Sequence, residues 1–546
     1  MLDQERSKLS PFELKDELIK AAIETRPSEI QAELLKAARA TKGKEMLDAG
    51  RGNPNFLTTI PRKGFFEWGN FAMKESERSF SYLGIGLGGL AKKEGIEGRL
   101  DNFLYDKTDE GAQFIKDAIS YVRDQMGYDP EEFIYEITKA ILGGDYPVPD
   151  RMLSLSEKIV KKYIRKELTG GQPFDRSFEL FATEGGAAAM SYIFNTLEKN
   201  HLLNKGDCVA MGTPIFTPYL EIPELEEYSF VQVKAEAKSD NQWQYSSEDL
   251  DQLLDPKVKA FFLVNPSNPA SVKMSDENLE HLKEIIKKRP DLIVLTDDVY
   301  ATFADNFKSI FTVCPKNTIL VYSFSKYFGA TGWRLGLIAT AEENIFDEKL
   351  KNHPKEIRKK LNKRYASVTS HPQYLKFIDR IVADSRTVSL NHVAGLATPA
   401  QVQMVFFCLF SLMDMRDIYK NSMKGLMRSR ERSLYKYMGM ASKEDENTVG
   451  YYDIVEIEKI AEKLYDKEFS QWVEKNINQE SALFDLANDA GVVLLPATDF
   501  SASKGGFRVS LANLNKSDYT KIGQAISSLL KKYHLDFLED KKKSGV

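Results

Sequence analysis

Cysteine is scarce in this sequence, and long apolar runs are absent from it. The three cysteines among 546 residues stand far apart without CxxC spacing, which argues against a disulfide framework or a zinc site. The most apolar window, Val402–Met413, contains Gln403 and is followed by Asp414, so no segment reaches the roughly 18–20 apolar residues of a membrane span. The first twenty residues mix both charge signs and predict no signal peptide. We expect a cytoplasmic protein without a metal site.

The sequence also lacks an excess of charge of either sign. It has 75 basic and 80 acidic residues and a net charge of -5, which gives no general attraction to nucleic acid or to anionic membranes. The apolar share of 42% and the charged share of 28% are ordinary for a globular protein. We therefore expect neither nucleic acid nor a membrane as a partner, and the length predicts about three structural units.

From Arg151 onward, short apolar runs rich in β-branched residues alternate with helical segments. This alternation predicts an α/β fold with a mostly parallel sheet that helices cover on both faces. Ligands bind at the carboxyl ends of such strands, so polar motifs that follow them are the candidates for a site. The predicted strands are Phe178–Ala182, Cys208–Met211, Phe261–Val264, Leu292–Leu295, Thr318–Tyr322 and Leu335–Ala339.

The segments on either side are predicted to be mainly helical. Residues 1–49 predict two helices, Pro11–Thr25 and Pro27–Thr41, and the aromatic-rich stretch from Leu57 to Ala140 predicts several more. A single long helix is predicted from Pro399 to about Met438. The expected strands of a smaller α+β domain are Asp453–Ile457, Val492–Leu495 and Gly506–Leu511.

One polar motif, SFSKYFGATGWR, directly follows the predicted strand that ends at Tyr322. The hydroxyls of Ser323 and Ser325 and the planar cation of Arg334 suit a phosphate dianion. The amine of Lys326 can form a Schiff base with a carbonyl group once it has lost its proton. A lone lysine at a strand end is usually a plain surface residue. The neighbouring serine hydroxyls and the arginine, and not the lysine alone, therefore indicate a cofactor site.

The motif resembles the lysine motif of the fold type I pyridoxal-phosphate (PLP) enzymes, specifically the class I/II aminotransferase family. The resemblance implies PLP as the cofactor, held by Lys326 as a Schiff base, with Ser323, Ser325 and Arg334 as phosphate ligands. It also implies a three-layer α/β fold with a large PLP-binding domain and a smaller α+β domain. The expected divisions are an N-terminal arm with part of the small domain at 1–56, a helical insertion at 57–145, the large domain at 146–398 and the rest of the small domain at 399–546.

Further motifs follow in the order in which the family has them. The segment TEGGA lies between a predicted strand and a helix, where small residues let backbone N–H groups approach a phosphate. It resembles the phosphate-binding turn of the family, which implies that Gly185, Gly186 and Ala187 bind the cofactor. Phe216 falls where the family stacks an aromatic ring on the pyridine ring, and a core phenylalanine is the alternative.

Two more segments resemble parts of the family that contact the cofactor ring. NPSNPAS resembles NPxNPTG, with Ala-Ser in place of Thr-Gly, and implies that Asn268 binds the phenolic oxygen and borders the substrate. TDDVY matches D-x-x-Y, which implies that Asp297 pairs with the pyridine nitrogen and that Tyr300 contacts the phenolic oxygen. An ion pair at that nitrogen keeps it protonated and makes the ring an electron sink.

The last motif, GGFRVS, resembles the substrate-carboxylate motif of the family. It implies that Arg508 grips an α-carboxylate through two parallel hydrogen bonds, and a surface arginine on a strand is the alternative. Tyr146, before Pro-Val-Pro, resembles the tyrosine that reaches the phosphate of the neighbouring subunit in family dimers. By the same match, Gly52 lines the substrate site.

The layout of the whole chain narrows the resemblance to the bacterial aspartate 4-decarboxylases. The long N-terminal arm, the insertions at 57–140 and 342–384 and the segments RGNPNF and TEGGAAAM look like these enzymes, which convert L-aspartate to L-alanine and CO₂ with slow transamination. The resemblance implies a homodimer unit within a larger homo-oligomer, a dodecamer. Lys326 is then the catalytic base. Arg51 is a candidate for positioning the substrate, and a structural turn arginine is the alternative.

Two other functions stay open on the sequence. One is an aminotransferase acting on aspartate or aromatic amino acids, which should clamp the side-chain carboxylate of aspartate, whereas a decarboxylase should hold it loosely. The other is a non-enzymatic PLP-binding regulator. Such regulators usually carry a basic N-terminal helix-turn-helix, whereas residues 1–49 lean acidic.

Overall fold

The computed structural model describes residues 27–41, 43, 45–84, 86–222, 225, 228, 230–386, 395–441, 445–502 and 506–543, so the predicted helix Pro11–Thr25 lies outside the described residues. Within these ranges, no helix is long and apolar enough to cross a membrane. The helices, α1 to α20, are Pro27–Ala40, Ile60–Ser79, Ile96–Leu104, Glu110–Met126, Pro130–Leu142, Ser154–Leu168, Gly186–Lys199, Thr217–Glu221, Ser247–Asp251, Asp276–Lys288, Ile310–Val313, Ile345–Asn352, Lys355–Arg364, Phe377–Ser385, Thr398–Met413, Ile418–Tyr435, Ile457–Leu464, Lys467–Asn476, Gln479–Ala490 and Lys516–Lys543. The strands, β1 to β13, are Leu47–Asp48, Phe178–Thr183, Cys208–Thr213, Val231–Lys238, Gln244–Tyr245, Val258–Val264, Ile293–Asp297, Thr318–Ser323, Gly336–Ala341, Tyr452–Val455, Val492–Val493, Leu495–Pro496 and Phe507–Ser510.

An eight-stranded sheet in the order β2-β9-β8-β7-β6-β3-β4-β5 forms the centre of the molecule. The run from β8 through β7, β6 and β3 to β4 is parallel. β9 is antiparallel to both of its neighbours, and β5 is antiparallel to β4. The inner strands β6, β7 and β8 are apolar and almost wholly buried, as expected of strands that are covered on both faces. The predicted α/β fold with a mostly parallel sheet is confirmed.

The edge strands β4 and β5 were missed by the sequence prediction. The sequence of β4, VQVKAEAK, is charged, and much of it is exposed. A strand near the edge of a sheet is covered less completely than an inner one, so its composition approaches that of a surface segment. Apolar runs therefore predict the buried strands of this sheet, including the edge strand β2, better than the exposed strand β4.

The single long helix predicted from Pro399 to Met438 is wrong, because the chain divides there into α15 and α16. Asp417 has a left-handed backbone with φ 49°, which an α-helix cannot continue through. The carboxylate of Asp414 accepts hydrogen bonds from the backbone N–H groups of Ile418 and Tyr419 at 2.9 and 2.8 Å. This side chain satisfies donors at the start of α16 and so stabilises the break.

The insertion after residue 57 consists of the helices α2 to α5; α2, α4 and α5 pack on α15, and α3 packs on α5. Trp68 is fully buried among them, 5.9 Å from the ring centre of Phe133 and 5.5 Å from that of Phe406. Its indole N–H donates a hydrogen bond to the hydroxyl of Thr138 at 3.0 Å. The insertion therefore shares the main core, and its largest buried ring has its polar atom satisfied.

A second, antiparallel sheet has the order β10-β13-β12, and β1 pairs in parallel with β11. The N–H of Ser510 donates to the carbonyl of Ala49 at 2.8 Å, and the N–H of Asn55 donates to the carbonyl of Ala512 at 2.9 Å. These bonds fasten the loop at residues 49–55 to the end of β13, although the two segments lie near opposite ends of the chain.

Candidate active site

Lys326 lies in the turn directly after β8, at the carboxyl end of the central sheet. Its Nζ donates a hydrogen bond to the carbonyl oxygen of Gly52 at 2.9 Å, and the Tyr451 hydroxyl donates to the same oxygen at 2.8 Å. Gly329 has φ +59°, and a Cβ there would lie 1.9 Å from the carbonyl oxygen of Phe56. The turn that carries the lysine and the loop at residues 50–56 therefore touch through a position that only glycine fits.

The first turn of α2 holds the backbone that follows Lys326. The guanidinium of Arg62 donates to the carbonyls of Phe328 and Gly329 at 3.1 and 2.8 Å. It also lies over the ring of Phe407, 5.0 Å from its centre. The helical insertion thus fixes the position of the turn that presents the candidate catalytic amine.

The predicted phosphate-binding glycines lie at the start of α7. Gly185 has φ +92°, and a Cβ there would lie 2.5 Å from Nη2 of Arg334. Gly186 and Ala187 form the first turn of α7, where backbone N–H groups have no partner within the helix and favour an anion. The structure brings these four predicted residues together.

Two serine hydroxyls, at the end of β8 and just after it, complete the predicted phosphate-binding site. Ser323 and Ser325 are both buried, and their hydroxyl oxygens lie 3.0 Å apart. A Cβ on Gly186 would lie 3.7 Å from the Cβ of Ser323, so the serines and the start of α7 are neighbours. Hydroxyls, helix N–H groups and a guanidinium are the donors that suit a phosphate.

Asp297 ends β7 and is buried. Its Oδ2 accepts a hydrogen bond from the Tyr219 hydroxyl at 2.7 Å, and its Oδ1 accepts one from the N–H of Val299 at 3.1 Å. Burial raises the pKa of Asp297 to about 6, while the Tyr219 hydrogen bond, the Val299 hydrogen bond and the charge of Lys326 oppose that rise. A further cation next to this carboxylate, such as a protonated ring nitrogen, would favour its ionised form.

Tyr219 was not among the predicted residues. It stands three positions after Phe216 in TPIFTPY, and the two rings lie 5.3 Å apart at 88°. Its N–H donates to the carbonyl of Phe216 at 2.8 Å. A spacing of three places two side chains on one face of a helical turn, and this spacing was the available signal.

Arg508 lies on β13 and is buried. Its Nη1 donates to Oδ1 of Asn268 at 3.1 Å, and its Nη2 donates to the carbonyl of Gly50. The guanidinium carbon lies 4.5 Å from the ring centre of Tyr452 and 4.6 Å from that of Phe500. Among the described residues, Nε has no hydrogen-bond partner. Two rings and two hydrogen-bond acceptors thus hold the guanidinium, which can receive a carboxylate.

Three buried tyrosines, Tyr300, Tyr451 and Tyr452, lie beside Gly52. The hydroxyl oxygens of Tyr300 and Tyr452 are 3.0 Å apart. A Cβ on Gly52 would lie 2.2 Å from the Tyr452 hydroxyl oxygen and 3.4 Å from Nζ of Lys326. Burial, together with the two neighbouring tyrosines, raises the pKa of Tyr300 well above its usual value of 10.0. Tyr451 and Tyr452 were not predicted, because their part in the site depends on contacts with distant segments.

Three predicted residues are placed at the margin. Tyr146, between α5 and α6, is 61% exposed. Phe216 precedes α8 and is 36% exposed, so it is not a core phenylalanine. The side chain of Arg51 is 57% exposed, and its Nε lies 2.9 Å from Oδ2 of Asp48. Arg51 thus belongs to the loop at residues 50–56, but its guanidinium already has a carboxylate partner.

The assembled residues fit PLP. Gly185 leaves room beside Arg334 that a Cβ would fill, and the buried serine hydroxyls lie next to it. Asp297 offers a buried carboxylate to the ring nitrogen, and Lys326 offers a primary amine. A phosphate, a ring cation and an aldehyde would each meet a complementary group.

Comparisons with known proteins find relatives in sequence and a shared fold among solved structures. The family model described as aminotransferase class I and II matches residues 145–526. A Pseudomonas protein named bifunctional aspartate aminotransferase and L-aspartate beta-decarboxylase is 52% identical over 523 residues, which cover 95% of this chain and 96% of that protein. An aspartate/prephenate aminotransferase of Nitrosomonas europaea is 28% identical over 36% of this chain and 50% of its own length. The solved structure of aspartate aminotransferase from Thermus thermophilus with maleate has a TM-score of 0.56 at 18% identity, covering 92% of this chain and 96% of that one.

Proposed function

The chain belongs to the aminotransferase class I and II family of PLP enzymes, and on this premise we propose that it removes the β-carboxylate of L-aspartate. The products are L-alanine and CO₂, with aspartate transamination as a minor activity. The observation that carries the proposal is the 52% identity, over 95% of this chain, to a protein named for both activities. That match extends through the helical insertion as well as the family core.

PLP, when bound, draws electrons from the α-carbon of an attached amino acid. We assign to the Lys326 amine the removal of the proton from Cα and its return to the substrate. The hydrogen bond of 2.9 Å from Nζ to the Gly52 carbonyl supports this role, because it holds the amine beside the residue expected to line the substrate site. Asp297 would keep the ring nitrogen protonated, since a buried carboxylate is stabilised by an adjacent cation.

We assign the α-carboxylate of the substrate to Arg508. Its guanidinium is held in place by Asn268, by the Gly50 carbonyl and by two aromatic rings before any substrate arrives. A donor group that is already fixed loses little entropy on binding, and two parallel hydrogen bonds define which substrate bond faces the cofactor.

Loose binding of the β-carboxylate distinguishes a decarboxylase from an aspartate aminotransferase. The reaction replaces this carboxylate at Cβ with a proton, and the electrons of the broken bond stay with the substrate while neutral CO₂ leaves. A strong clamp would stabilise the charged group and oppose its loss. The ion pair between Arg51 and Asp48 supports loose binding, because the exposed arginine already has a partner at 2.9 Å.

We also propose that the protein forms a homodimer unit within a larger homo-oligomer, a dodecamer, in the cytoplasm. The exposure of Tyr146 supports a dimer, because this residue resembles the tyrosine that reaches the neighbouring subunit in dimers of the family. We divide the chain at 1–56, 57–145, 146–398 and 399–546. The parallel pairing of β1 with β11 supports joining the N-terminal segment to the C-terminal sheet.

One assay separates the candidate functions. Purified protein with PLP and L-aspartate is incubated with and without an α-keto acid acceptor, and CO₂, alanine and oxaloacetate are measured separately. We expect CO₂ and alanine in equal amounts without an acceptor. Oxaloacetate that requires the acceptor, without CO₂, would identify an aminotransferase instead. A protein that binds PLP but turns over no amino acid would favour a regulator.

A further inference from the structure

We propose that Tyr452 is a positioning residue that links the cofactor-facing phenol of Tyr300 to the carboxylate-binding guanidinium of Arg508. The inference rests on the proposed function in one respect, that Tyr300 and Arg508 face cofactor and substrate. It adds a residue that the family motifs do not contain, and it assigns separate roles to the ring and to the hydroxyl of that residue.

The ring of Tyr452 supports Arg508. Tyr452 begins β10 and is 3% exposed. Its ring centre lies 4.5 Å from the guanidinium carbon of Arg508, and the ring centre of Phe500 lies 4.6 Å from the same carbon. Stacking on an aromatic face restrains a planar guanidinium and leaves its edges open for hydrogen bonds. A phenylalanine would serve this purpose equally well.

The hydroxyl of Tyr452 makes a different contact. Its oxygen lies 3.0 Å from the hydroxyl oxygen of Tyr300, and a Cβ on Gly52 would lie 2.2 Å from it. Among the described residues, the Tyr300 hydroxyl is its hydrogen-bond partner. The absence of a side chain on Gly52 is what makes room for this hydroxyl.

The direction of the hydrogen bond between the two phenols follows from their proton count. Each phenol has one proton to donate. If Tyr300 donates its proton to the phenolic oxygen of the cofactor, the proton between the two tyrosines must come from Tyr452. A phenol that accepts a hydrogen bond becomes a stronger donor, because consecutive hydrogen bonds polarise one another. Tyr452 would therefore strengthen the bond that Tyr300 makes.

The test is a spectral titration of the PLP-loaded protein without substrate. Tyr452→Phe keeps the ring and removes the hydroxyl. A weaker donor at the phenolic oxygen leaves that oxygen more basic, so the proton on the Lys326 nitrogen is held more tightly. We expect the pH midpoint of the visible absorption band to rise by roughly 0.3–0.7 unit. We expect kcat for aspartate to fall by roughly 3- to 10-fold, with KM changed less than about 2-fold.

Two further variants separate the ring from the hydroxyl. Tyr452→Leu removes both, so it should shift the midpoint and also raise KM for aspartate roughly 5-fold or more, because Arg508 loses its support. In the Tyr300→Phe background, Tyr452→Phe should cause no additional shift of the midpoint, because the hydrogen bond between the two hydroxyls is already absent. Tyr300→Phe alone must shift the midpoint at least as far as Tyr452→Phe. If Tyr452→Phe does not fold, Tyr300→Phe still provides a test, because an unchanged midpoint in that variant would also overturn the proposal.

Tyr163→Phe is the matched control. Tyr163 and Tyr322 are fully buried, and their hydroxyls are 2.6 Å apart, so the variant removes a hydroxyl from a similar pair outside the site. It should leave the spectral midpoint in place. An unchanged midpoint in folded Tyr452→Phe, or an additive shift in the double variant, would overturn the proposal. Because no substrate is present, absence of CO₂ release by the unmodified protein would reject the proposed function alone.

Discussion

The two ends of the candidate site are built in different ways. The lysine end consists of Asp297 and Ser323, which end neighbouring strands of one sheet, and of Lys326 in the turn that follows. The arginine end consists of Gly50, Gly52, Tyr452 and Arg508, which come from a loop and a second sheet near opposite ends of the chain. Carboxyl ends of adjacent parallel strands converge on their own, whereas the arginine end exists only when distant segments are assembled.

The contact between the two ends is made by backbone carbonyls. The Gly50 carbonyl accepts a hydrogen bond from Arg508, and the Gly52 carbonyl accepts one from Lys326 at 2.9 Å. A short loop thus holds a cation from each end. Variants at the lysine end should mainly disturb cofactor chemistry, and variants at the arginine end should mainly disturb substrate binding.

The largest effect is expected at the arginine end. Arg508→Ala should lower kcat/KM for aspartate by roughly 1,000-fold, because two charge-assisted hydrogen bonds to the α-carboxylate are lost. Steady-state kinetics with parallel measurement of bound PLP provide the check. The kcat/KM of Arg508→Lys should lie between those of the unmodified protein and Arg508→Ala, because lysine keeps the charge but cannot form two parallel hydrogen bonds. If Arg508→Ala lost bound PLP to the same extent as activity, the claim that the arginine end serves substrate binding and not cofactor binding would be wrong.

At the lysine end, Asp297→Asn should lower kcat roughly 100-fold, because the ring nitrogen of the cofactor loses its counter-ion. The same variant should stabilise the protein without cofactor. Since the folded pKa of about 6 exceeds the ordinary 3.8, ionisation opposes folding, so this contribution to the free energy of unfolding falls as pH rises from about 4 to about 6. Asparagine should recover at most about 3 kcal/mol at pH 8, measured by urea unfolding.

Asp298→Asn is the matched control for this variant. Asp298 is equally buried, its pKa is raised to about 7 by burial, and its carboxylate accepts from the Thr296 hydroxyl at 2.6 Å. It should gain stability at pH 8 while keeping cofactor chemistry. Equal losses of kcat in the two variants would show that activity reflects general disturbance of β7 and not a counter-ion.

Gly52→Ala tests the contact between the ends, with an expected loss of roughly 10-fold in kcat/KM. The added Cβ would lie 2.2 Å from the Tyr452 hydroxyl oxygen, which must shift, and 3.4 Å from Nζ of Lys326, which is van der Waals contact. The control is Gly98→Ala in α3, where a Cβ meets nothing within 4 Å. Wild-type kinetics for Gly52→Ala would mean that the loop does not join the two ends.

Tyr219→Phe should have the smallest effect, roughly 3-fold in kcat/KM at neutral pH. The Tyr219 hydrogen bond lowers the pKa of Asp297, so its removal should raise that pKa further. The acidic limb of the pH profile of kcat/KM should then move to higher pH, because more of the carboxylate is protonated near neutrality. Tyr245→Phe, at a buried tyrosine on β5, serves as the control. If the acidic limb of the Tyr219→Phe profile stays at the same pH, the ionisation of Asp297 does not determine that limb.

The same comparison explains what the sequence could predict. Lys326 and Asp297 follow apolar strands in recognisable order, so their neighbourhood in space follows from chain order and sheet geometry. Tyr452 carries no such signal, because its contacts with Gly52 and Tyr300 depend on how the second sheet packs. The break between α15 and α16 was missed for a related reason. The apolar pattern continues there, while the deciding contact is the side chain of Asp414 at two backbone N–H groups.

The identity of the lysine that binds the cofactor tests the central claim most directly. The protein is loaded with PLP, reduced with borohydride, digested and analysed by mass spectrometry, with Lys326→Ala treated in parallel. We predict one pyridoxyl label, on the peptide that contains Lys326, and neither label nor visible absorption band in the variant. A label on another lysine, or a band that persists in Lys326→Ala, would contradict the account.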